Sequence, residues 1–401
     1  MEALNDDILI RILGYLDLKS QQTMISVHPR FYHLMYFVWC SQYKTVNLSL
    51  FEANFSIKHF NYFFQCIRDT VKVIRLRLMS WEQFEVLTSK VYPKVHDFRF
   101  ATIPSNLLTD ADIPKIIKSF PNMTTFSPQG NFSGVHFTDI PQLERLTLTY
   151  CRMFLVGNLI NVMTTHQLKE IKLCMSDQRF YQSIFLKLPL ECVKHLESIK
   201  IDLDELLWFQ EHLKDIKNLK ELTICGPRQK RTLDVLFCKL GCFTEKRHFK
   251  ILETCNSTNT LDTVISANVP VDALKIVTDN YLLEDMRLFA NQSYDNIKQL
   301  YFKSCCIQDK RSLNSLMLNM VNVDFVSFEQ CLFTFDNYKF MVSQIIQKRN
   351  KPLQVNLHQN SFEETRLPWV WSTDGESDLF EIVGGNNYEY TYEPIYMTFN
   401  K

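Results

Sequence analysis

The sequence predicts an α/β protein in three parts: a small N-terminal unit of three helices over residues 1–44, a solenoid of short parallel strands over 45–366, and an acidic, aromatic cap or tail over 367–401. Three observations predict it. Near the N-terminus, apolar residues recur at the three- and four-residue steps of a helix. From residue 45 onward, short alternations of the form apolar-x-x-apolar-x-apolar return at nearly constant intervals. From Ser361 to the last residue there are eight acidic and two basic residues, with Trp369, Trp371, Tyr388, Tyr390 and Tyr392 among them.

The helical unit comes first. Leu4, Ile8, Leu9, Ile12, Leu13 and Leu16 lie on one broad face of a helix from about Asp6 to Leu16. Asn5 is placed to cap it, and Asp6 and Asp7 sit in the first turn, where the helix dipole favours negative charge. A second helix is expected from about Ser20, as N-cap, through Met24, Ile25 and Val27. Pro29 ends it and starts a third, because proline is tolerated in a first helical turn. That helix carries Phe31, Tyr32, Leu34, Met35, Phe37 and Trp39. Three helices this short cannot enclose so many large side chains, so some of the apolar surface must be covered by a partner or by the rest of the chain.

The run Leu4-Asn5-Asp6-Asp7-Ile8-Leu9, then Ile12-Leu13, Leu16-Asp17-Leu18, and finally Val27-His28-Pro29-Arg30-Phe31 with Leu34, resembles the F-box. Asn5 stands where that family usually has proline, and His28-Pro29 where it usually has Cys-Lys. The resemblance covers about a tenth of the chain. It implies docking onto a Skp-type adaptor, and through it a cullin, by Leu4, Asn5, Ile8, Leu9, Ile12, Leu13, Leu16, Leu18, Val27 and Phe31, while the remainder selects a protein substrate.

The repeats rest on spacing. The triplets beginning at Val73, Val95, Leu143, Leu168, Leu196, Leu219, Val271, Ile297 and Val323 are separated by 22, 48, 25, 28, 23, 52, 26 and 26 residues. The two long intervals are each close to two periods of about 25. Weaker candidates fall in those gaps at Met123-Phe126 and near Phe249-Ile251, and at the ends at Leu48-Leu50 and Val355-Leu357. One triplet proves nothing in a chain that is 46% hydrophobic; the constant interval is the signature of a solenoid adding one strand per repeat. The pattern is similar to leucine-rich repeats, which implies parallel strands on a concave side and helices and loops on a convex side. Cys151, Cys305 and Cys331 each fall three residues after the last apolar position, where that family places Asn or Cys; Ser176, Asp204 and Asn360 share the offset. A small, partly polar side chain is needed there to turn inward and meet backbone groups as the strand ends, although cysteine is also simply common in cores.

Composition narrows the function. Only nine glycines are present, with no GxGxxG and no phosphate-cradling loop, so nucleotide chemistry is not expected. A formal net charge of zero gives no global reason to expect nucleic acid or an anionic membrane. The N-terminus lacks the basic start and unbroken apolar run of a signal peptide, and no apolar run is long enough to span a membrane. The expected compartment is therefore the cytoplasm or the nucleus, with the 12 cysteines as free thiols. No cofactor and no metal are expected: Cys238, Cys242, His248 and Cys255 have zinc-ligand types but irregular spacing, and Cys305-Cys306 adds only a pair. No HExxH or GxSxG occurs, and no catalytic residue is assigned. The basic stretch Arg228, Lys230, Arg231, Lys246, Arg247 and Lys250 reads as a solvated loop, with nucleic-acid binding or nuclear import as the alternatives.

If the repeats stack, the residues between apolar positions face outward. They include Arg75, Arg77, Arg99, Arg145, Lys172, Lys200 and Lys275 against Asp97, Glu170 and Glu221, a net positive set suited to an acidic or phosphorylated protein segment. The expected function is thus substrate recognition in a Skp-cullin-F-box ubiquitin ligase, without chemistry of its own. A repeat-based binder with no ligase connection, and a hydrolase or metal enzyme on an unfamiliar α/β scaffold, are the alternatives.

Overall fold

A computed structural model of the chain describes residues 4–53, 55–102, 108–149, 151, 153–174, 190–202, 213, 216–225, 248–255, 261, 264–265, 267–277, 296–307, 310–335, 338–349, 351–358, 361–362, 371–374 and 378–385. The chain forms two compact units, Met1–Lys220 and Glu221–Lys401. Both are α/β and both have the leucine-rich-repeat build, a parallel sheet whose strands follow one another in chain order.

Unit one opens with α1 (Asp6–Gly14), α2 (Leu18–Val27) and α3 (Pro29–Gln42). Asn5 caps α1 through its side-chain oxygen, which accepts from the Asp7 amide at 3.3 Å. The second helix starts two residues before the expected Ser20: Asp17 is its cap and accepts from the Ser20 amide at 2.7 Å, a charge-assisted bond stronger than a hydroxyl offers. Pro29 begins α3, and His28 caps it by accepting from the Arg30 amide at 3.1 Å. The Arg30 guanidinium binds Asp6 and the Leu4 carbonyl, while Gln42 donates to the Gly14 carbonyl. Pinned at both ends, α1 and α3 run side by side in the same direction.

A single amide organises the interior of these helices. The Gln21 side chain is fully buried; its nitrogen donates to the carbonyls of Leu13 and Leu16 and to Gln42 Oε1, and its oxygen accepts from Trp39 Nε1 at 2.8 Å and Tyr43 Oη at 3.1 Å. Around it Leu9, Leu13, Ile25, Phe31, Leu34, Met35, Val38 and Trp39 are buried. The far side of α3 packs on α5 (Ile57–Ile67), which follows the first strand and α4 (Leu50–Ala53). Tyr32 and Tyr62 stack with centroids 3.9 Å apart, the Tyr62 hydroxyl donates to the Tyr32 carbonyl at 2.6 Å, and Trp39 meets Phe63 edge-on at 5.1 Å. Part of the apolar surplus of the opening helices is thereby covered by later residues of the same chain.

The sheet of unit one holds β1 (Thr45–Ser49), β2 (Val73–Met79), β3 (Asp97–Thr102), β4 (Thr125–Ser127), β5 (Arg145–Thr149), β6 (Glu170–Cys174) and β7 (Ser198–Asp202), each pairing in parallel with the next. That of unit two holds β8 (Glu221–Cys225), β9 (Phe249–Cys255), β10 (Val271–Val277), β11 (Ile297–Lys303), β12 (Phe325–Glu329), β13 (Leu353–His358) and β14 (Phe380–Gly385), paired in the same way. Strands fall in both long gaps, at β4 and β9. In β9 the register sets Leu252 opposite Leu274 and Thr254 opposite Ile276, so the rung reads Phe249-Leu252-Thr254, not Phe249-Ile251. The last strand, β14, lies inside 367–401 and pairs on β13 as one more rung, so the strand array runs past residue 366. Tyr388, Tyr390 and Tyr392 lie outside the described residues.

One rung is shifted from its expected register. The inward residues of β2 are Ile74 and Leu76, each buried, and Leu78 is 42% exposed with φ +57. The triplet is therefore Val71-Ile74-Leu76, and the interval to Val95 becomes 24 residues, nearer the period than the expected 22. Ser304 and Gln330 hold the same left-handed conformation at the same place, two residues past Phe302 and Phe328. Each strand of this kind ends by turning one residue through that region, and the next side chain is driven inward.

That next residue is Met79, Cys305 or Cys331, all buried. The Cys331 thiol donates to the Phe302 carbonyl one rung back at 3.4 Å, Cys305 donates to Ile276 at 3.6 Å, and Cys151 to Pro128 at 3.4 Å. The thiols thus perform the inward turn that the spacing assigns to them. Ser176, Asp204 and Asn360, at the same offset, lie outside the described residues. Beneath the strands of unit one the core is largely aromatic, with Phe98 and Phe120 stacked at 4.2 Å. Gly134 (φ +89) lies so close to the Phe154 ring that a Cβ there would meet it at 2.4 Å, so no other residue fits.

Candidate protein-binding surfaces

Two surfaces assemble from the residues singled out in the sequence. The first is on the helical unit. Ile8, Ile12 and Tyr15 succeed one another on one side of α1, exposed at 49%, 46% and 84%. Leu4 is exposed just ahead of them, and the Arg30 contact with the Leu4 carbonyl brings the α2–α3 junction, with exposed Val27, against the start of α1. Leu16 and Leu18 are half-buried. Leu9, Leu13 and Phe31 face inward and are consumed by internal packing, and Asn5 spends its side chain on the cap, so these four shape the surface without presenting an apolar contact. Tyr15 was not singled out from sequence, although it stands three residues past Ile12 on the same face; Tyr36 and Phe37 on α3 are exposed as well.

The second surface is the outward face of the strands. In unit one the register builds two columns across the rungs. One runs Thr45, Val73, Asp97, Thr125, Arg145, Glu170, Ser198. The other contains Asn47, Arg75, Arg99 and Ser127, then Thr147, Lys172 and Lys200. Every side chain in the second column is at least partly exposed. Because the shift in β2 is by two residues, Arg75 and Arg77 keep the outward direction assigned to them.

Electrostatics divide the basic set. Asp97, whose side chain is 9% exposed, binds Arg75 at 2.8 Å and Arg99 through two nitrogens at 2.8 and 3.0 Å. Glu170 holds Lys172 at 2.8 Å, and Arg145 lies 3.7 Å from Glu144. Lys275 sits in unit two and is described apart from the others. It is only 9% exposed, opposite Glu253 on one rung and Tyr301 on the other, with its ammonium 5.4 Å over the Tyr301 ring. Burial lowers its pKa, and Glu253, Glu221 and Glu329 act against that shift. Lys303 is likewise held by Glu329 at 2.7 Å. The strand face of unit two therefore interleaves acids, lysines and aromatic rings, and the basic face belongs to unit one.

Other polar contacts among the described residues are local. His248 and Lys298 both bind Asp272, at 2.7 and 2.6 Å, and Cys255 donates to Glu253 at 3.6 Å. Cys238, Cys242, Arg228, Lys230, Arg231, Lys246 and Arg247 lie outside the described residues. Among the described residues, no group of three or more His, Cys, Asp or Glu is placed to hold a metal ion, and no helix is long and apolar enough to cross a membrane.

No protein-family model matches the sequence, and no curated relative matches it. Among solved structures, the chain matches the crystal structure of a TLR13–ssRNA13 complex at 11% identity and a TM-score of 0.36, over 82% of this chain and 52% of that one. The chain spans about half the length of that neighbour. At this level the likeness adds nothing to the pairing described above, and it is the pairing that gives each unit a build like that of a leucine-rich-repeat array.

Proposed function

We propose that the chain is a substrate receptor of a Skp-cullin-F-box ubiquitin ligase. The opening helices dock onto a Skp-type adaptor, and through it a cullin, while the strand face of unit one holds a protein substrate. The observation that carries the reading is the stripe Ile8, Ile12 and Tyr15, left in water by helices that bury larger side chains all around it. Covering the exposed half of each isoleucine is worth roughly 1 kcal/mol, so a contiguous stripe supports a contact surface. In this role the chain performs no covalent step; it raises the concentration of a substrate near a ubiquitin-charged enzyme, an entropic contribution.

A second reading, a repeat-based binder with no ligase connection, is favoured by the seam between α3 and α5, where Trp39, Tyr32 and Tyr62 make the helices a cover for the array. One experiment separates the two. The full chain is tested for capture of a purified Skp-type adaptor, alone and as the Ile8→Asp/Ile12→Asp double variant. Losing the exposed halves of two isoleucines, at roughly 1 kcal/mol each, predicts at least about a 10-fold weaker complex. The variant should keep its melting temperature, since both positions are exposed. Failure of the unaltered chain to capture the adaptor removes the ligase reading and leaves the plain binder.

A further inference from the structure

We infer that the leading edge of the sheet in unit one, the residues immediately before β1, β2 and β3, binds a short acidic segment of another protein. The backbone defines this edge. The amides of Lys72 and Val73 donate to the Lys44 carbonyl, those of His96 and Asp97 to the Lys72 carbonyl, and those of Thr124 and Thr125 to the His96 carbonyl. The same step continues through Glu144, Lys169, Glu197 and Lys220, so one residue from each rung stands in a single column. The column lies at the start of the strands and not on their outward face, and its role does not depend on the ligase reading.

In chain order the column reads Lys44, Lys72, His96, Thr124, Glu144, Lys169, Glu197, Lys220. Its second half alternates in sign and pairs, with Lys169 2.8 Å from Glu144 and Lys220 3.2 Å from Glu197. Its first half does neither. Lys44, Lys72 and His96 are exposed, as is Lys94, two residues ahead of His96 on the same turn. Among the described residues, the side chains of these four have no hydrogen-bond or ion-pair partner. The acids close to them in sequence are engaged elsewhere: Asp69 is held by Arg68 at 3.1 Å, and Asp97 by Arg75 and Arg99, each at 2.8 Å.

Like charges on neighbouring rungs, about 4.8 Å apart, work against the fold. The second half of the same column shows that sheet geometry does not force this arrangement, because there each lysine has a glutamate beside it. The first half keeps its positive potential for a group from outside. Lysine suits that purpose as a point charge on a flexible stem, which meets a carboxylate without a fixed geometry.

The length of the patch selects the ligand. Lys44 and His96 are two rungs apart, roughly 10 Å, and four consecutive acids in an extended chain span about the same distance. Beyond His96 the column is uncharged at Thr124 and then balanced in charge, so a longer anion meets no further attraction. This short reach, with a net charge of zero over the whole chain, favours a brief acidic run of protein over nucleic acid, whose affinity grows with the number of phosphates contacted.

The test uses the full chain and fluorescein-labelled Gly/Ser peptides carrying one glutamate, four in a row, or ten in a row, with a single-stranded oligothymidine as the nucleic-acid arm. Fluorescence anisotropy is read at several salt concentrations. The four-glutamate peptide should bind at least about 5-fold tighter than the one-glutamate peptide. The ten-glutamate run should show the same dependence on salt as the four, because it engages no additional cation. Lys44→Glu and Lys72→Glu should each weaken the four-glutamate peptide at least about 5-fold, whereas Lys58→Glu, which changes the net charge equally on an exposed turn of α5, should not. Lys72→Glu should melt no lower than the unaltered chain, since it replaces a like-charged neighbour by an attractive one. A lower melting temperature would assign the lysine to the fold and overturn the inference, as would equal peptide affinity in Lys72→Glu and Lys58→Glu. A salt dependence that steepens with the length of the acidic run, or tighter binding of the oligothymidine than of the four-glutamate peptide, would make the edge a surface for long polyanions and overturn it as well. Adaptor capture is measured alongside, and its failure removes the ligase role while leaving this inference standing.

Discussion

Replacing Gln21 by leucine tests how the proposed docking surface is held. The substitution is close to isosteric, so the cost should come from polar groups rather than volume. Gln21 accepts from the indole nitrogen of Trp39, which is fully buried, and donates to the Leu16 carbonyl at 3.0 Å and the Leu13 carbonyl at 3.1 Å. The Leu13 carbonyl keeps a second donor, the Leu16 amide, and the Gln42 amide keeps the Gly14 carbonyl. Three groups therefore lose their partner, the Trp39 N–H, the Leu16 carbonyl and the part-buried Tyr43 hydroxyl. At about 1–3 kcal/mol for each unsatisfied buried group, less for the partly exposed carbonyl and hydroxyl, the variant should lose roughly 2–4 kcal/mol. For a unit of this size, each kcal/mol lowers the melting temperature by about 2–4 °C. Urea denaturation followed by tryptophan fluorescence, repeated with Trp39→Phe and the double variant, isolates the Gln21–Trp39 coupling. On the proposed function, adaptor capture should weaken in Gln21→Leu although Ile8 and Ile12 are untouched, because the end of α1 and the turn that follows it each lose a bond that holds them to α2. A loss below about 0.5 kcal/mol, with coupling indistinguishable from zero, would show that the buried amide is not what positions the helix.

Two further outcomes follow from the packing. Burial pushes the Cys66 thiol and the Tyr43 hydroxyl up to about 12, so both stay protonated in the fold while the unfolded chain ionises near 9 and 10. Their contribution is fully present below pH 9 and is lost as the pH rises toward 12, and chemical denaturation of unit one at pH 8 and pH 11 should show lower stability at the higher pH. Cys331→Leu should destabilise unit two by about 1–3 kcal/mol through overpacking, and Cys331→Ser by less, since a hydroxyl can still donate to the Phe302 carbonyl; equal melting temperatures for the leucine variant and the unaltered chain would contradict the inward turn.

Much of this fold is legible in the sequence because its repeats ask for the same residue types at the same offsets. Leu143-Leu146-Leu148 and Val323-Val326-Phe328 are buried in the register their spacing predicts. Where the reading slips, a local residue disguises the rung. In β9 a buried threonine, Thr254, stands where the pattern has an aliphatic residue, and Ile251 beside it supplies a false one. In β2 the exposed Leu78 imitates an inward position because nothing in an isolated leucine announces a left-handed turn, which ordinarily favours glycine. β14 was hidden for a different reason: its Phe380-Glu381-Ile382-Val383 alternation is short, and the acidic composition around it reads as a tail.

The surfaces were legible in direction but not in pairing. A strand fixes the face of its own residues by parity, and parity survives a two-residue slip, so Arg75 and Arg77 point outward under either register. Which acid meets which base depends instead on the neighbouring strand, 20 to 30 residues away in the chain, and on its exact alignment. Asp97 lies in the same short segment as Arg99, and a one-residue slip of β3 against β2 would carry the two together to the core face and leave Arg75 without its acid. The same dependence holds in the helices. Ile8 and Ile12 share a face with Leu4 by helical spacing alone, yet Leu9 and Leu13 were equally apolar and equally close in sequence; they are removed from the surface only because α3 lies along α1, pinned by Arg30 at one end and Gln42 at the other. The exposed stripe is what remains of the apolar helix after its partner helix has taken its share, so the long-range polar bonds that align the two helices decide which apolar residues remain in water.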